Sequence, residues 1–228
     1  MKNVLLVSIF LVSITCYCQK ISDNNKNFSI QVSVLPSFSN FDFKGLNKTL
    51  KSNNLPQAND NLQFTPAIEI ITKPFSSLKT YSSVIVGMSN SKNVLNDYTL
   101  EQRVVYSELG IGRYLIQKNR KYLFFGLAWG NVWQSVDIHK LAVSSTFNNA
   151  LQEVGNSMKL ESKNNQYIAL NTGFDWAIDK EEDILIGIRF SYRFGFGKEN
   201  WDINNRSYSD SPSSSADGLA IGVSLSIR

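Results

Sequence analysis

The sequence is poor in cysteine and histidine, the residue types on which thiol chemistry and most zinc sites depend. It contains two cysteines, Cys16 and Cys18, and a single histidine, His139, in 228 residues. A zinc site takes three or four Cys, His or carboxylate ligands, and a lone histidine in a polar connector does not supply them. We therefore predict no metal site and no cofactor.

The two cysteines belong to an N-terminal stretch that has the features of an export signal. Lys2 gives a positive start, residues 4–14 are apolar, and small side chains precede Gln19. We predict that residues 1–18 are a cleaved signal peptide and that residues 19–228 form one domain. The mature domain would then contain neither a cysteine nor a disulfide.

A strong excess of charge and long apolar runs are also missing. Lysine and arginine number 23 against 19 aspartates and glutamates, a net charge of +4, and the basic residues are dispersed along the chain. Because nucleic-acid binding needs a basic patch or stripe, we predict no nucleic-acid partner. After the N-terminal stretch no run of about 18 apolar residues occurs, so a membrane-spanning helix is not predicted.

The sequence does contain repeated stretches in which apolar and polar residues alternate with a period of two, the pattern of β-strands. In the clearest stretch, Ile184, Ile186 and Ile188 alternate with Gly187 and Arg189. Long helical patterns are missing. Eight strands are predicted on this basis, at residues 28–34, 62–70, 81–88, 105–115, 123–134, 167–178, 184–196 and 218–227.

The composition of the two strand faces predicts the fold class. One face is an almost unbroken row of Ile, Leu, Val and Phe, whereas the other is rich in Gly, Ala and Ser and carries isolated charges. A soluble barrel or sandwich points its large apolar side chains inward and keeps a polar exterior. Small side chains suit the interior of a narrow barrel, and a bulky aliphatic exterior suits lipid. We therefore predict an all-β fold, an eight-stranded antiparallel up-and-down transmembrane β-barrel.

The lengths of the connectors support this fold, because outer-membrane barrels have short turns at one end and longer loops at the other. Two prolines, Pro36 and Pro66, are predicted to mark the base of the first long loop, since proline removes a ladder donor. The short connectors are residues 73–78, 117–121 and 179–182, and the long ones are residues 39–60, 90–97, 137–165 and 197–216.

In this pattern the sequence resembles the eight-stranded outer-membrane β-barrel family, the small OmpA- and OmpX-like barrels, over residues 27–228. The resemblance lies in the export signal and in strands such as 109–114 (Leu-Gly-Ile-Gly-Arg-Tyr) and 184–192. It implies an integral protein of the outer membrane of a Gram-negative bacterium, in contact with outer-membrane lipid and with periplasmic termini. Family members commonly end on an aromatic residue, whereas this sequence ends on Arg228.

Five charged residues fall on the face that is predicted to point into the barrel: Glu69, Glu108, Asp175, Arg189 and Arg193. An eight-stranded barrel is just filled by side chains, so charges inside it must be paired or hydrated. Asp175 and Arg189 would be diagonal neighbours on adjacent strands, within reach of each other. We predict a lumen salt-bridge network with a structural role. A path for protons or ions is the alternative, and it would need an open bore.

Four aromatic residues are predicted to lie in the girdles at the two membrane–water interfaces, where amphipathic rings are enriched: Tyr122, Trp133, Trp176 and Tyr192. The same rings would be ordinary packing residues if the barrel were soluble. Their position therefore depends on the fold prediction.

The long connectors 39–60, 137–165 and 197–216 are the candidate contact surface for an external partner. The last of these is rich in Ser and Asp around Trp201, and we predict it to be mobile. Through these loops we predict a structural or surface-interaction role without catalysis. Apolar residues at helical spacing predict a short amphipathic helix that lies on the rim or plugs the mouth of the barrel: Phe147, Ala150, Leu151, Val154 and Met158.

Three other functions stay open at this point. A soluble exported barrel would bind a small apolar ligand in a dry cavity. A lipid-modifying hydrolase would use His139 to assist a serine nucleophile, and Ser144, Ser145 and Glu153 are near it in sequence. A porin would need a conducting lumen. Because one loop does not establish the arrangement of a nucleophile, base and orienting group, we predict no catalytic residue.

Overall fold

The computed structural model describes residues 29–73, 79–140, 157–196 and 199–228, so the predicted signal peptide lies outside the described residues. Within these ranges the chain is mostly β-strand, with one helix in the first long connector. The elements are β1 (Ser29–Leu35), β2 (Ser37–Ser39), α1 (Lys44–Ser52), β3 (Gln63–Phe64), β4 (Ala67–Lys73), β5 (Thr80–Leu95), β6 (Tyr98–Lys118), β7 (Lys121–Lys140), β8 (Ser157–Ala177), β9 (Ile184–Gly195), β10 (Glu199–Asn200), β11 (Asp202–Ile203), β12 (Ser213–Ser214) and β13 (Gly218–Ile227).

In the described part of the chain, the long strands form a closed antiparallel ring of eight members. Strands β4 to β9 pair in sequence order, and β13 closes the ring by pairing with both β9 and β1. Two members of the ring are interrupted strands: β1 continues as β2, and β3 continues as β4, with the pairing register unchanged. The prediction of an eight-stranded antiparallel barrel is confirmed. No helix among the described residues is long and apolar enough to cross a bilayer.

The prolines cause the two interruptions without ending either strand. Pro36 and Pro66 lie opposite each other, between the Leu35–Ala67 pair and the Phe38–Phe64 pair. The carbonyl of Pro36 accepts a hydrogen bond from the Val223 amide and that of Pro66 from the Met88 amide, each at 3.1 Å. Each proline therefore removes only its own donor from the ladder, and the prediction that they mark the base of the first loop is wrong, because pairing continues beyond them.

The barrel exterior is covered by exposed apolar side chains, which we call the apolar belt. They alternate along every member of the ring with side chains that point inward, as the period of two requires. The belt consists of Ile30, Val32, Val34, Phe38, Phe64, Ile68, Val86, Met88, Leu109, Ile111, Leu115, Phe125, Leu127, Trp129, Ile168, Leu170, Phe174, Trp176, Ile184, Ile186, Ile188, Phe190, Tyr192, Phe194, Leu219, Ile221, Val223, Leu225 and Ile227.

Strand lengths differ around the ring, and the longest strands extend beyond the belt. A tilted strand needs about 9–11 residues to cross a bilayer, and β9 and β13 have 12 and 10 residues. Strands β5 to β8 have between 16 and 21 residues. These four strands therefore project as a sheet on one side of the belt. We call this side the external end and the opposite side the short-turn end.

The projecting sheet corrects two predicted loops. Residues 90–97 form a tight hairpin, because β5 runs to Leu95 and β6 begins at Tyr98. In the predicted connector 137–165, β7 runs to Lys140 and β8 begins at Ser157, so Met158 lies in a strand and not in the predicted amphipathic helix. The other residues of that prediction, at 147–154, lie outside the described part of the chain.

The external end is closed by α1 and by the short strands β10 to β12, which we call the external cap. Leu46 and Leu50 of α1 pack with Phe43 and Trp201, and the Phe43 and Trp201 rings are 5.8 Å apart. Asn47 fixes the segment that follows the helix, because its side-chain amide exchanges two hydrogen bonds with the backbone of Ala58, at 2.8 and 2.9 Å. The connector 197–216, predicted to be mobile, therefore provides the largest buried aromatic side chain of the cap.

Between the belt and the cap, the apolar and polar side chains of a strand exchange faces. On β6 the outward side chains are apolar at Leu109 and Ile111 but charged at Glu101 and Arg103, and all four are exposed. The inward side chains change in the opposite sense, since Leu100 and Val104 are 1% and 0% exposed and pack in the cap core, whereas Glu108 lies in the belt region. Further inward apolar residues at the external end are Val136, Ile138 and Leu160.

Candidate functional site: the barrel lumen and its two closed ends

The centre of the lumen contains an ion triad formed by three strands. Arg189 of β9 donates two hydrogen bonds to the Asp175 carboxylate of β8, at 2.5 and 3.1 Å. Its Nε atom donates to Glu69 of β4 across the barrel, at 3.0 Å. All three side chains are buried. Two carboxylates face one guanidinium, so each pairing depends on the geometry of the same arginine.

Small neighbouring residues make room for the triad. Gly187 lies directly across from Asp175, and a Cβ atom at this position would overlap the Asp175 carboxylate and the Phe174 carbonyl. Ser224 donates a hydrogen bond to Asp175 at 3.3 Å. The Arg189 guanidinium also stacks over the Phe124 ring, 4.7 Å from its centre. The glycine- and serine-rich inner face therefore accommodates the charges.

Glu108 and Arg193 are inside the barrel as predicted, but no salt bridge of the described residues includes them. Glu108 accepts hydrogen bonds from the Tyr167 hydroxyl at 3.0 Å and the Asn171 amide at 3.1 Å. Arg193 donates to the Asn40 carbonyl at 3.0 Å. The predicted five-residue salt-bridge network is therefore wrong in extent, because Glu108 and Arg193 bond to neutral groups and not to the triad.

Aromatic rings surround Arg193 where the lumen meets the external cap. Its guanidinium carbon lies 4.4 Å from the centre of the Phe41 ring, 5.3 Å from Tyr106 and 5.8 Å from Tyr167. Cation–π contacts of this kind stabilise a desolvated guanidinium. The packed rings, with the cap above them, close the external end of the lumen.

A second aromatic cluster closes the short-turn end. Tyr81, Tyr114 and Phe124 meet edge to face, with ring centres 5.4 to 5.8 Å apart. The Lys73 ammonium lies 4.2 Å from the centre of the Tyr114 ring. Tyr122, predicted for an interfacial girdle, is a member of this inner cluster and is only 3% exposed.

The Tyr122 hydroxyl links the cluster to the turn between β8 and β9 and to the residue that follows β13. It donates a hydrogen bond to the Glu182 carboxylate and accepts one from the Arg228 guanidinium, at 3.2 Å. The same guanidinium lies 4.6 Å from the centre of the Tyr122 ring. The prediction for Tyr122 is wrong because this ring points into the barrel, where its hydroxyl is bonded to charged groups.

Between the two closed ends the lumen contains a cavity of about 40 Å³. Glu69, Glu108, Arg189, Tyr106 and Phe124 are among the residues that line it. This volume has room for a few water molecules and is far below the roughly 300–1,000 Å³ of small-molecule sites. The cavity therefore does not fit the small apolar ligand of the soluble-barrel alternative.

The other three predicted interfacial aromatics are on the outer surface. Trp176 and Tyr192 belong to the apolar belt, and the Tyr192 ring contacts Phe194 with centres 4.6 Å apart. Trp133 is half-buried at a bulge between β7 and β8, where the register shifts from Val132 to Gln134. Trp176 is close to the short-turn end, across from Lys121. Trp133 is next to the level at which the outward face of the strands changes from apolar to charged.

Beyond the belt, the outward face of the projecting sheet has charges of both signs. Lys159 and Lys163 form salt bridges with Glu161, at 2.7 and 2.9 Å. Burial acts to raise the pKa of Glu161, but the two lysines outweigh it and hold this pKa below its usual range. On the neighbouring strands Lys92 bridges Glu101 at 3.2 Å, with both side chains more than half exposed. This mixed, mostly paired surface is typical of contact with water.

At the short-turn end the connector between β8 and β9 is organised by one carboxylate. Asp179 accepts hydrogen bonds from the backbone amides of Ile184 at 2.8 Å and Asp183 at 3.0 Å. These bonds hold the pKa of Asp179 below its usual range. The turn is therefore fixed by a side chain two residues beyond the end of β8.

The described residues give no support to a catalytic site at His139. This residue is exposed at the outer end of β7, across from Thr99 and Ser157. Ser144, Ser145 and Glu153 lie outside the described residues. No group of three potential metal ligands occurs in the described part of the chain.

Sequence reasoning missed the cap core and the short-turn cluster, although both have a signal in the sequence. Leu46 and Leu50 have the spacing of one helix face. Leu100 and Val104 are an even number of residues from Glu108 and therefore lie on the same inward face of β6. Apolar side chains on that face already indicate a change of environment along the strand. Tyr122 has the parity of the inward Gly126 and Ala128.

No protein-family model and no curated protein sequence matches the chain. Among solved structures it is similar to Neisserial surface protein A (NspA), with 10% identity, 88% of this chain and 96% of that chain covered and a TM-score of 0.49. It is also similar to Ail, the attachment invasion locus protein of Yersinia pestis, with 10% identity, 88% and 98% covered and a TM-score of 0.42. For the outer membrane protein OprG from Pseudomonas aeruginosa the identity is 14%, the coverage 88% and 94% and the TM-score 0.46.

These similarities concern the fold alone. The geometry of the chain itself defines this fold more directly. The described residues combine a ring of eight antiparallel strands, an apolar exterior and a polar interior. By these three features the chain has the fold of the small outer-membrane β-barrels.

Proposed function

We propose that this chain is an integral outer-membrane protein in which the barrel is a closed anchor and the external end is the working surface. Its role is structural or consists of contact with an external partner, and it is not catalytic. The surrounding lipid contacts the apolar belt. The termini and the short turns lie in the periplasm, and the cap and the projecting sheet face outward.

The observation that carries this proposal is that the apolar and polar faces exchange sides along single strands. On β6 the outward side chains are apolar around Leu109 and charged around Arg103, while the inward side chains change in the opposite sense. A strand wholly in water would keep its apolar face inward throughout. A strand that leaves a bilayer for water must exchange the two faces at the boundary.

The closed lumen supports an anchor in preference to a pore. The ion triad, the ring of aromatics around Arg193 and the cluster around Tyr114 leave only the small central cavity. Ions cannot pass such a filled interior without displacing bonded side chains. With the lumen closed, contact with a partner through the outer surface is the function that we propose for the barrel.

Expression in a Gram-negative host tests location and orientation together. We expect the protein to stay in the membrane fraction after alkaline carbonate extraction and to require detergent for release. A membrane-impermeant maleimide should label Asp97→Cys, at the tip of the β5–β6 hairpin, in intact cells. It should label Lys180→Cys, in a short turn, only after the outer membrane is permeabilised.

The unmodified protein is the control for the labelling, because its only cysteines are in the predicted signal peptide. Release by carbonate would contradict the membrane location. Labelling of Lys180→Cys but not of Asp97→Cys in intact cells would contradict the orientation and leave the location standing.

A further inference from the structure

The apolar belt is not uniformly convex, because a groove of about 470 Å³ runs along its outer surface across strands β4 to β8. Its sides are large apolar residues, among them Ile70, Leu109, Leu127 and Trp129. Its floor includes Ser83, Gly110 and Ala128, which have small or no side chains and lie on the inward face. The groove is therefore a depression in the part of the surface that faces lipid.

Polar groups mark one end of this groove. Thr72 and Ser82 line it with their hydroxyls 2.6 Å apart, and both are within two residues of the end of their strand at the short-turn end. The remaining lining is mostly aliphatic. The groove thus has a long apolar portion and a hydroxyl-bearing end near the predicted membrane interface.

A cation lies beside the same end. Arg113 is on β6, two residues nearer the short turn than Ile111, which lines the groove, and directly across from Thr80. It is therefore a diagonal neighbour of Ser82, at a spacing that a long side chain spans. Arg113 is exposed on the outward face, and among the described residues no carboxylate lies within 4.0 Å of it.

An outward arginine on a lipid-facing strand needs water or an anion close by. Charged groups are tolerated on this face near the interface and are costly at the bilayer midplane. A guanidinium is well suited to a phosphate group, to which it donates two parallel hydrogen bonds. The ligand that brings a phosphate and a long apolar chain to one place is a phospholipid.

We propose that this groove binds one phospholipid of the leaflet on the short-turn side. An acyl chain lies along Ile70, Leu127 and Trp129, and Arg113 binds the phosphate. One of the Thr72 and Ser82 hydroxyls donates to the other, which in turn donates to an ester carbonyl. The proposal rests on the membrane location proposed above. It adds a specific lipid site to a surface that otherwise makes general contact with the bilayer.

Native mass spectrometry of the detergent-purified barrel, titrated with phosphatidylglycerol, tests this site. We expect one tightly bound phosphatidylglycerol per barrel. Arg113→Gln should weaken its binding about fivefold, the contribution of one interfacial cation. Val84→Trp fills the groove and should abolish the bound species. The matched controls are Arg103→Gln, which removes an outward cation beyond the belt, and Val223→Trp, which adds the same ring on β13; both should bind like the unmodified protein.

Heat-modifiable migration on gels shows for each variant that the barrel is folded. If Val84→Trp does not fold, the binding of phosphatidylglycerol by Arg113→Gln alone tests the lipid site. Equal binding by Arg113→Gln and the unmodified protein would overturn the proposal. So would displacement of the lipid by inorganic phosphate alone, or a groove occupied by a second copy of the chain, seen as a dimer that Val84→Trp dissociates. A barrel that stays in the membrane but binds no phosphatidylglycerol would overturn this inference alone, whereas release by carbonate would overturn the proposed function as well.

Discussion

Replacement of Arg189 by leucine is expected to lower the free energy of unfolding of the barrel by about 3–5 kcal/mol, the cost of breaking a buried ion pair from one side. The guanidinium is the shared partner of Asp175 and Glu69, with contacts of 2.5 to 3.1 Å. Its loss leaves two buried carboxylates without a cation at this level of the lumen. Urea unfolding of the barrel in lipid vesicles, followed by gel migration, measures the effect.

The matched control for this prediction is Lys92→Leu. Lys92 forms a salt bridge with Glu101 at 3.2 Å, but both side chains are exposed to solvent, and pairs of this kind contribute about 0–1 kcal/mol. A second variant, Arg189→Leu with Glu69→Gln and Asp175→Asn, removes the unpaired charges and should recover part of the loss. An unfolding midpoint that does not move in Arg189→Leu would show that the triad does not stabilise the barrel.

Replacement of Trp201 by alanine is expected to open the external cap while the barrel stays folded. Trp201 is fully buried against Phe43, and truncation of such a ring costs about 3–5 kcal/mol. Because the cap packs on the barrel end and does not belong to the ring, we expect the loss to appear as local opening. Amide hydrogen exchange of α1 should then be faster by about a hundredfold or more, since each 1.4 kcal/mol is a factor of ten.

Tyr208→Ala is the control, because Tyr208 is in the same connector and is exposed. It should leave the exchange of α1 unchanged, and both variants should keep the heat-modifiable migration of the folded barrel. If the amides of α1 exchange at the same rate in Trp201→Ala as in the unmodified protein, Trp201 does not hold the cap in place.

The alternation of residue types was sufficient to predict the ring and its inverted polarity. The rule has a simple physical basis, since a period of two assigns every residue of a strand to one face. The same rule placed Asp175 and Arg189 within reach of each other, because they lie on adjacent strands. It could not assign the partners of Glu108 and Arg193, because Glu108 bonds to residues of β8, two strands away, and Arg193 bonds to the carbonyl of Asn40 in the irregular segment after β2.

The position of Tyr122 could have been predicted from parity alone. Tyr122 shares the inward parity of Phe124, Gly126 and Ala128 on β7. The preference of aromatic residues near turns for a membrane interface points to the opposite face from the alternation. The structure shows that parity is the stronger constraint, because a ring cannot reach the outer face of its strand from an inward Cα–Cβ direction.

The external cap could not be predicted to the same extent. Its core combines residues from α1, from the connector 197–216 and from the projecting strands, which are far apart in the sequence. Trp201 stands in a segment rich in Ser and Asp, a composition typical of mobile loops. Only the contacts with Phe43 and the inward residues of β6 and β7 explain why this segment is packed.

The central claim is that the wall of the barrel passes from lipid to water along single strands, and one measurement on β6 tests it most directly. Nitroxide labels attached singly at positions 101, 103, 109 and 111, in the barrel reconstituted into vesicles, report their accessibility to oxygen and to a water-soluble nickel chelate. We predict that labels at Leu109 and Ile111 are reached by oxygen and protected from the chelate, whereas labels at Glu101 and Arg103 are reached by the chelate. Free access of the chelate to all four positions, or protection of Leu109 and Ile111 from both reagents, would contradict the account.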